Sequence, residues 1–246
     1  MLITLLSAAL LFPSPSGMGR GVHPAAWACG SVQLPDAPAG LSRLTGPEAG
    51  AWFWGDGNGS GAVGLAGGLP LAESGFAGGV SAYAGKDFSR YGAVAGGSWV
   101  VTGDPIGFME GLFGPSLVLG ASGGVLEEGD GAFPVGTVSA QLSLFPSFAL
   151  GASCLWKHDG RPEGDFGFTH VFNRAFTLNA GLSGSDPEIG AVLTVSPGLS
   201  VSAGTGGSLW HTGVSVKTGS WRVEGAVAAS REELSGGAGV SWSTGW

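Results

Sequence analysis

Charge is what this chain has least of. Of 246 residues, 10 are Lys or Arg and 18 are Asp or Glu, so charged side chains make up 11% of the sequence, under half the ~25% of an ordinary soluble domain. The net charge of -8 leaves no basic stripe to neutralise phosphates, which excludes a nucleic-acid partner. Cysteine is nearly absent, Cys29 and Cys154 being the only two, so no disulfide framework is available. No apolar run reaches the ~18 residues that a membrane-spanning helix needs. The four histidines are scattered, with none at metal-ligand spacing from Cys, Asp or another His, and the sequence calls for no metal and no cofactor. Disorder is excluded as well, because nine Trp and a 43% hydrophobic content supply abundant surface to bury.

What replaces the missing polarity is glycine, 49 residues of it, following no collagen-like triplet period. The first residues stand apart from the rest. Leu2 to Phe12 form an apolar stretch of signal-peptide length, with small residues at Ser14 and Ser16. Residues 1–16 are therefore expected to be an export signal cleaved before Gly17.

From Pro47 onward, segments of roughly ten residues alternate large apolar with small or polar side chains, separated by Gly, Pro, Asn, Asp and Ser. Trp210, Thr212, Val214 and Val216 alternate with His211, Gly213, Ser215 and Lys217. Phe148, Leu150, Ala152, Cys154 and Trp156 keep the same phase, as do Ala238, Val240, Trp242, Thr244 and Trp246. A soluble sandwich would place Lys, Glu and Thr on its outward positions. Here the non-greasy face is mainly Gly, Ser and Ala, which suits the lining of a tube whose greasy face meets lipid. The pattern predicts an all-β transmembrane antiparallel barrel over residues 47–246.

Fourteen strands are predicted, at 47–55, 61–69, 75–84, 91–102, 116–126, 134–145, 148–156, 165–172, 176–183, 188–195, 199–204, 208–217, 220–229 and 234–246. The stretch Gly103 to Pro115 makes one connection unusually long, and twelve strands is the alternative count. Residues 17–46 do not alternate and carry four of the prolines when Pro47 is counted with them, so they are expected to form a plug-like or periplasmic segment.

Lys217, Arg222 and Glu224 fall on the predicted lumen face and read as a structural ion cluster before a substrate contact. Trp156, Trp210, Trp221, Trp242 and Trp246 lie near strand ends and read as membrane girdles. The terminal Trp246 also resembles the aromatic ending by which the barrel assembly machinery recognises its clients. Gly59 to Gly64 matches G-x-G-x-x-G, but in so glycine-rich a chain about two such matches arise by chance. Gly120-Ala121-Ser122-Gly123-Gly124 spells a nucleophile elbow inside an alternating strand, where no strand-to-helix turn exists. No catalytic residue is expected.

Pro38-Ala39-Gly40-Leu41, followed by Ser42-Arg43-Leu44 and a first strand near Glu48, resembles the N-P-A-G-L-A signature of outer-membrane barrels that include the FadL-type transporters, and more closely their PorV-type and PorQ-type relatives. Ala37 stands where Asn is usual. Ala26 to Asp36 is similar to the lead-in of those families, and Val138 to Trp156 and Phe166 to Ser183 resemble their paired strands. The resemblance implies a fourteen-stranded barrel in the outer membrane of a Gram-negative-type envelope, with the N-terminal segment in or under the lumen. It implies a non-enzymatic envelope or secretion-associated role, with outer-membrane lipids, the assembly machinery and a secreted or envelope protein as partners. The alternative is a passive transporter of hydrophobic small molecules. The Gly and Ser lining of the predicted lumen favours the former.

Overall fold

The computed structural model describes residues 31, 34–57, 59, 61–71, 76–85, 90–106, 114–128, 131–157, 162–207, 209–231 and 234–244. The expected signal at 1–16, residues 17–30 of the expected plug and Trp246 lie outside these residues.

Fourteen antiparallel strands close into one barrel. They are β1 (Glu48–Asp56), β2 (Gly61–Leu71), β3 (Phe76–Gly85), β4 (Arg90–Gly103), β5 (Ser116–Glu128), β6 (Gly131–Phe145), β7 (Phe148–Trp156), β8 (Pro162–Asn173), β9 (Phe176–Ser183), β10 (Asp186–Ser196), β11 (Leu199–Gly206), β12 (Leu209–Thr218), β13 (Trp221–Ala229) and β14 (Leu234–Ser243). Each strand pairs with its neighbours in sequence, and β1 closes on β14 with Glu48 opposite Ser243 and Asp56 opposite Ser235. The long 104–115 connection spans β4 to β5 without changing the strand count, so the twelve-strand alternative is set aside.

Period-two alternation decides which way each side chain points. On β12, Trp210, Thr212, Val214, Val216 and Thr218 are exposed on the outside, while His211, Gly213, Ser215 and Lys217 are half-buried on the inside. On β6, Val135, Thr137, Ser139, Gln141 and Ser143 are buried within. The outer face is aliphatic and aromatic, the reverse of a water-soluble sandwich.

Turn chemistry fixes several hairpins. Gly219 (φ 55°) and Gly198 (φ 107°) occupy left-handed backbone in two-residue turns, where a side chain would be strained. Asn173 Oδ1 accepts hydrogen bonds from the Ala175 and Phe176 amides at 2.8 and 2.9 Å, holding the β8–β9 turn.

Aromatic side chains mark both ends of the barrel. At the end where β1 begins and β14 finishes, Trp221 pairs with Trp242, and Phe148, Phe168, His170, Phe172 and Phe176 form a chain of ring contacts, His170 meeting Phe172 edge-on at 4.4 Å. At the other end stand Trp156 and Trp210, the latter 69% exposed. Trp210 and Trp221 mark the two ends of the paired β12 and β13. That pairing spans about 26 Å of strand, or about 20 Å after a tilt of ~40°, close to the ~25 Å apolar band of membrane barrels.

Strands β8 and β10 begin earlier than the alternation suggests, at Pro162 and Asp186. Polar pairing accompanies the extension of β8: Lys157 Nζ meets Glu163 Oε2 at 2.8 Å, and the Ser153 hydroxyl donates to Asp165 Oδ2 at 3.4 Å. The connections at this end are thereby shorter than the sequence suggests.

Candidate functional site

Among the described residues, polar, aromatic and charged groups converge in the barrel interior. A 3-10 helix, Pro38–Arg43, lies against the inner faces of β2 to β6. Proline sits at its first turn, where no amide hydrogen is needed. Pro38, Ala39, Gly40 and Leu41 are all buried. Thr137 Oγ1 donates to the Pro35 carbonyl at 2.6 Å, and the Ala39 amide donates to Ser139 Oγ at 2.8 Å. Gly120 is glycine because the helix passes directly over it: a Cβ there would stand 2.2 Å from the Ala39 nitrogen. Leu34, Leu41 and Leu44 join Trp52, Ala62 and Ala66 in one apolar cluster inside the wall.

Trp52 and Trp54 overturn the simple rule that bulky side chains face out. They are 4% and 3% exposed and share the inner face with Glu48, while Phe53 between them points outward. Room for the indoles comes from neighbouring strands. A Cβ on Gly64 would sit 2.1 Å from the Trp52 ring, and Trp54 lies opposite Gly237 on β14. Neither indole Nε1 has a hydrogen-bond partner among the described residues.

The inner wall differs around its circumference. Along β6 to β9 it is buried and polar, with Gln141, Ser153, Thr169, Thr177 and Asn179, and Thr169 Oγ1 donates to Asn179 Oδ1 at 2.8 Å. Along β11 to β13 the inward positions Ser200, Ser202, Gly213, Ser215, Lys217, Arg222 and Glu224 are only half-buried. Lys217 stands directly opposite Arg222, and Glu224 opposite Ser215.

In the sequence pattern Glu48 marks only the start of a strand. It is 7% exposed, and its Oε1 accepts hydrogen bonds from both the amide and the hydroxyl of Ser31 at 2.9 Å. Arg222 and Glu224 stand on β13, across β14 from it, on the same inner face. A lone acid opening a glycine-rich strand is the sequence signal for this site, but its partner Ser31 lies too far away in sequence to suggest itself. Ser122 of the elbow-like motif sits in the middle of β5 and not at a strand-to-helix turn.

The outer wall carries an apolar hollow of about 680 Å³ where β13, β14, β1, β2 and β3 meet. Phe53, Val63, Leu65 and Val240 form its sides, and Ala51, Ala82 and Ala238 make room for it. Trp52, Gly64 and Gly239 complete its lining.

A closed barrel with an apolar exterior, whose inner wall is mostly small and polar residues apart from the Trp52 and Trp54 side, defines a transmembrane β-barrel. Among the solved structures that share the fold at low identity are three examples. TbuX, the Ralstonia pickettii toluene transporter, is 11% identical with a TM-score of 0.63, matching 94% of this chain and 98% of its own. CymD, a monoaromatic hydrocarbon channel, is 12% identical with a TM-score of 0.63, matching 96% of this chain and 99% of its own. An Acinetobacter baumannii outer membrane protein is 10% identical with a TM-score of 0.58, matching 82% of this chain and 99% of its own. No family model and no curated protein matches the chain. At such identities the likeness is one of fold, and all three are transport or membrane proteins by name.

Proposed function

We propose that this protein is a non-enzymatic barrel of the outer membrane that passes hydrophobic small molecules passively, with residues 17–46 as its plug and residues 1–16 as its export signal. The observation that carries this reading is the apolar hollow in the wall, open on the lipid-facing side and lined by Trp52, which belongs to the same buried cluster as Leu34, Leu41 and Leu44 of the N-terminal segment. A volume of about 680 Å³ falls within the ~300–1,000 Å³ of small-ligand sites, and apolar lining with few polar groups is their usual character. The fold shared with a toluene transporter and a monoaromatic hydrocarbon channel supports it. The girdles at Trp156, Trp210, Trp221 and Trp242 would settle the barrel against outer-membrane lipids, and Trp246 would serve recognition by the assembly machinery. The reading as a secretion-associated barrel with an envelope partner rests on the Pro38–Leu41 resemblance, and the transport reading has more behind it.

The test is uptake of a radiolabelled aromatic hydrocarbon by cells with an intact outer membrane, with and without the protein, and with Ala238→Trp to fill the hollow. The expected result is faster uptake with the wild-type chain and loss of that gain in the variant. Equal uptake in all three, with the barrel present in the membrane, would overturn the proposal.

A further inference from the structure

On the outer face of a membrane barrel a basic side chain is out of place, because hydrocarbon offers its polar atoms nothing to bond. His170 stands there. Among the described residues it is the only His, Lys or Arg in the outward-facing row of a strand, in line with Phe168 and Phe172 on β8, while Thr169 and Val171 on either side of it are buried within. Neither ring nitrogen has a hydrogen-bond partner among the described residues, and the ring instead contacts Phe148 at 6.2 Å and Phe172 at 4.4 Å.

Depth tells what the imidazole meets. His170 pairs with Phe148, the first residue of β7, and the next amide along, that of Val171, donates to the Ser147 carbonyl in the β6–β7 turn at 2.7 Å. Trp221 is likewise the first residue of β13. The ring therefore lies within the girdle, at the level of lipid headgroups. Four connections at this end, 146–147, 174–175, 197–198 and 219–220, are two residues long, which marks it as the periplasmic side, where the short turns of such barrels lie.

We propose that His170 is a headgroup-binding site, its N–H donating to the phosphate of one glycerophospholipid whose acyl chains run up β8 past Phe168 toward the bilayer centre. Neutral or protonated, an imidazole keeps at least one N–H donor. Hydrogen bonds to an ionised acceptor are the stronger kind. The ring is held in advance: Phe148, itself stacked on Phe168 at 6.0 Å, and Phe172, in contact with Phe176 at 5.5 Å, flank it, so little side-chain freedom is lost when lipid arrives. A second copy of the chain seated on this face would bring only rings and aliphatic groups, since the outward rows of β7, β8 and β9 carry no carboxylate. A phosphate supplies the acceptor that the imidazole lacks. This inference goes beyond the transport reading and requires only that the outward face meets lipid.

The test is native mass spectrometry of the full chain, delipidated in detergent and titrated with dioleoyl phosphatidylglycerol, with dioleoyl glycerol, which has the same acyl chains and no phosphate, and with inorganic phosphate as competitor. The wild-type chain should retain one phosphatidylglycerol about tenfold more tightly than the diacylglycerol, with no displacement by excess inorganic phosphate. His170→Phe, which keeps the ring packing and removes the donor, should bind the two lipids alike, and His170→Gln, which keeps an N–H donor, should recover most of the difference. The heat-modifiable band of each variant confirms an intact barrel. Undiminished phosphatidylglycerol binding in His170→Phe, or equal binding of the two lipids by the wild-type chain, would overturn the proposal. Displacement by inorganic phosphate would also overturn it by assigning the site to the free anion, as would a dimer lost in His170→Phe by assigning the face to a second copy. The uptake experiment probes the opposite claim on the wall, at β13 to β3, so its failure and the failure of this site are separate results.

Discussion

Val214 and Ser215 are consecutive residues near the middle of β12, and the fold assigns them to opposite sides of the wall. Val214 is exposed outside and Ser215 half-buried inside, opposite Glu224. Arginine at the bilayer midplane on the lipid face of a barrel costs about 2–4 kcal/mol. With ~1.4 kcal/mol per decade, Val214→Arg should shift the folding equilibrium roughly thirty- to several-hundred-fold toward the unfolded chain. Ser215→Arg adds the same charge one residue away, but places it in the interior beside the Glu224 carboxylate, and should cost under ~1 kcal/mol. The assay is reversible urea folding into lipid vesicles, followed by tryptophan emission, with the change in ΔG taken from the shift in midpoint at constant slope. If Ser215→Arg destabilises as much as Val214→Arg, or if Val214→Arg is neutral, the greasy face does not meet hydrocarbon and the membrane orientation falls.

Three further outcomes follow from the packing. Gly120→Val drives a side chain into the Ala39 and Pro38 backbone and should displace the 3-10 helix at a cost of about 1–3 kcal/mol, read as faster trypsin cutting after Arg43 with the barrel band intact. Gly64→Val strikes the Trp52 ring and should move that indole, seen as a changed emission spectrum that vanishes in a Trp52→Phe background. Removing Trp246 should leave export intact and impair insertion, and normal levels of heat-modifiable barrel in the outer membrane of the deletion strain would refute that role.

The strand plan was legible because each segment pairs with its sequence neighbour, so alternation and turn residues carry nearly all of the information. What escaped were arrangements set by residues far apart in sequence. Trp52-Phe53-Trp54 is bulky on both faces, so a period-two reading has no contrast there; only Gly64 and Gly237 on adjacent strands tell which rings go inside. The docking of Pro35 and Ala39 onto Thr137 and Ser139 spans about a hundred residues and leaves no local trace. The charged start of β8 reads as a loop because Glu163 is a poor strand former, and its contact with Lys157 outweighs that preference. The Lys217, Arg222 and Glu224 group was found by phase alone, but Glu48, on the far side of β14, could not be joined to it without the closure of the barrel.

That closure has a kinetic meaning. Every pairing except β1 with β14 joins consecutive strands, so hairpins can form in the order the chain emerges, each closing a short loop. The final pairing must gather ends nearly two hundred residues apart, and its entropic penalty grows only logarithmically with that separation. Slow appearance of the mature barrel should therefore trace to this last zippering event, and substitutions on β1 or β14 should retard it more than equal changes in the interior hairpins.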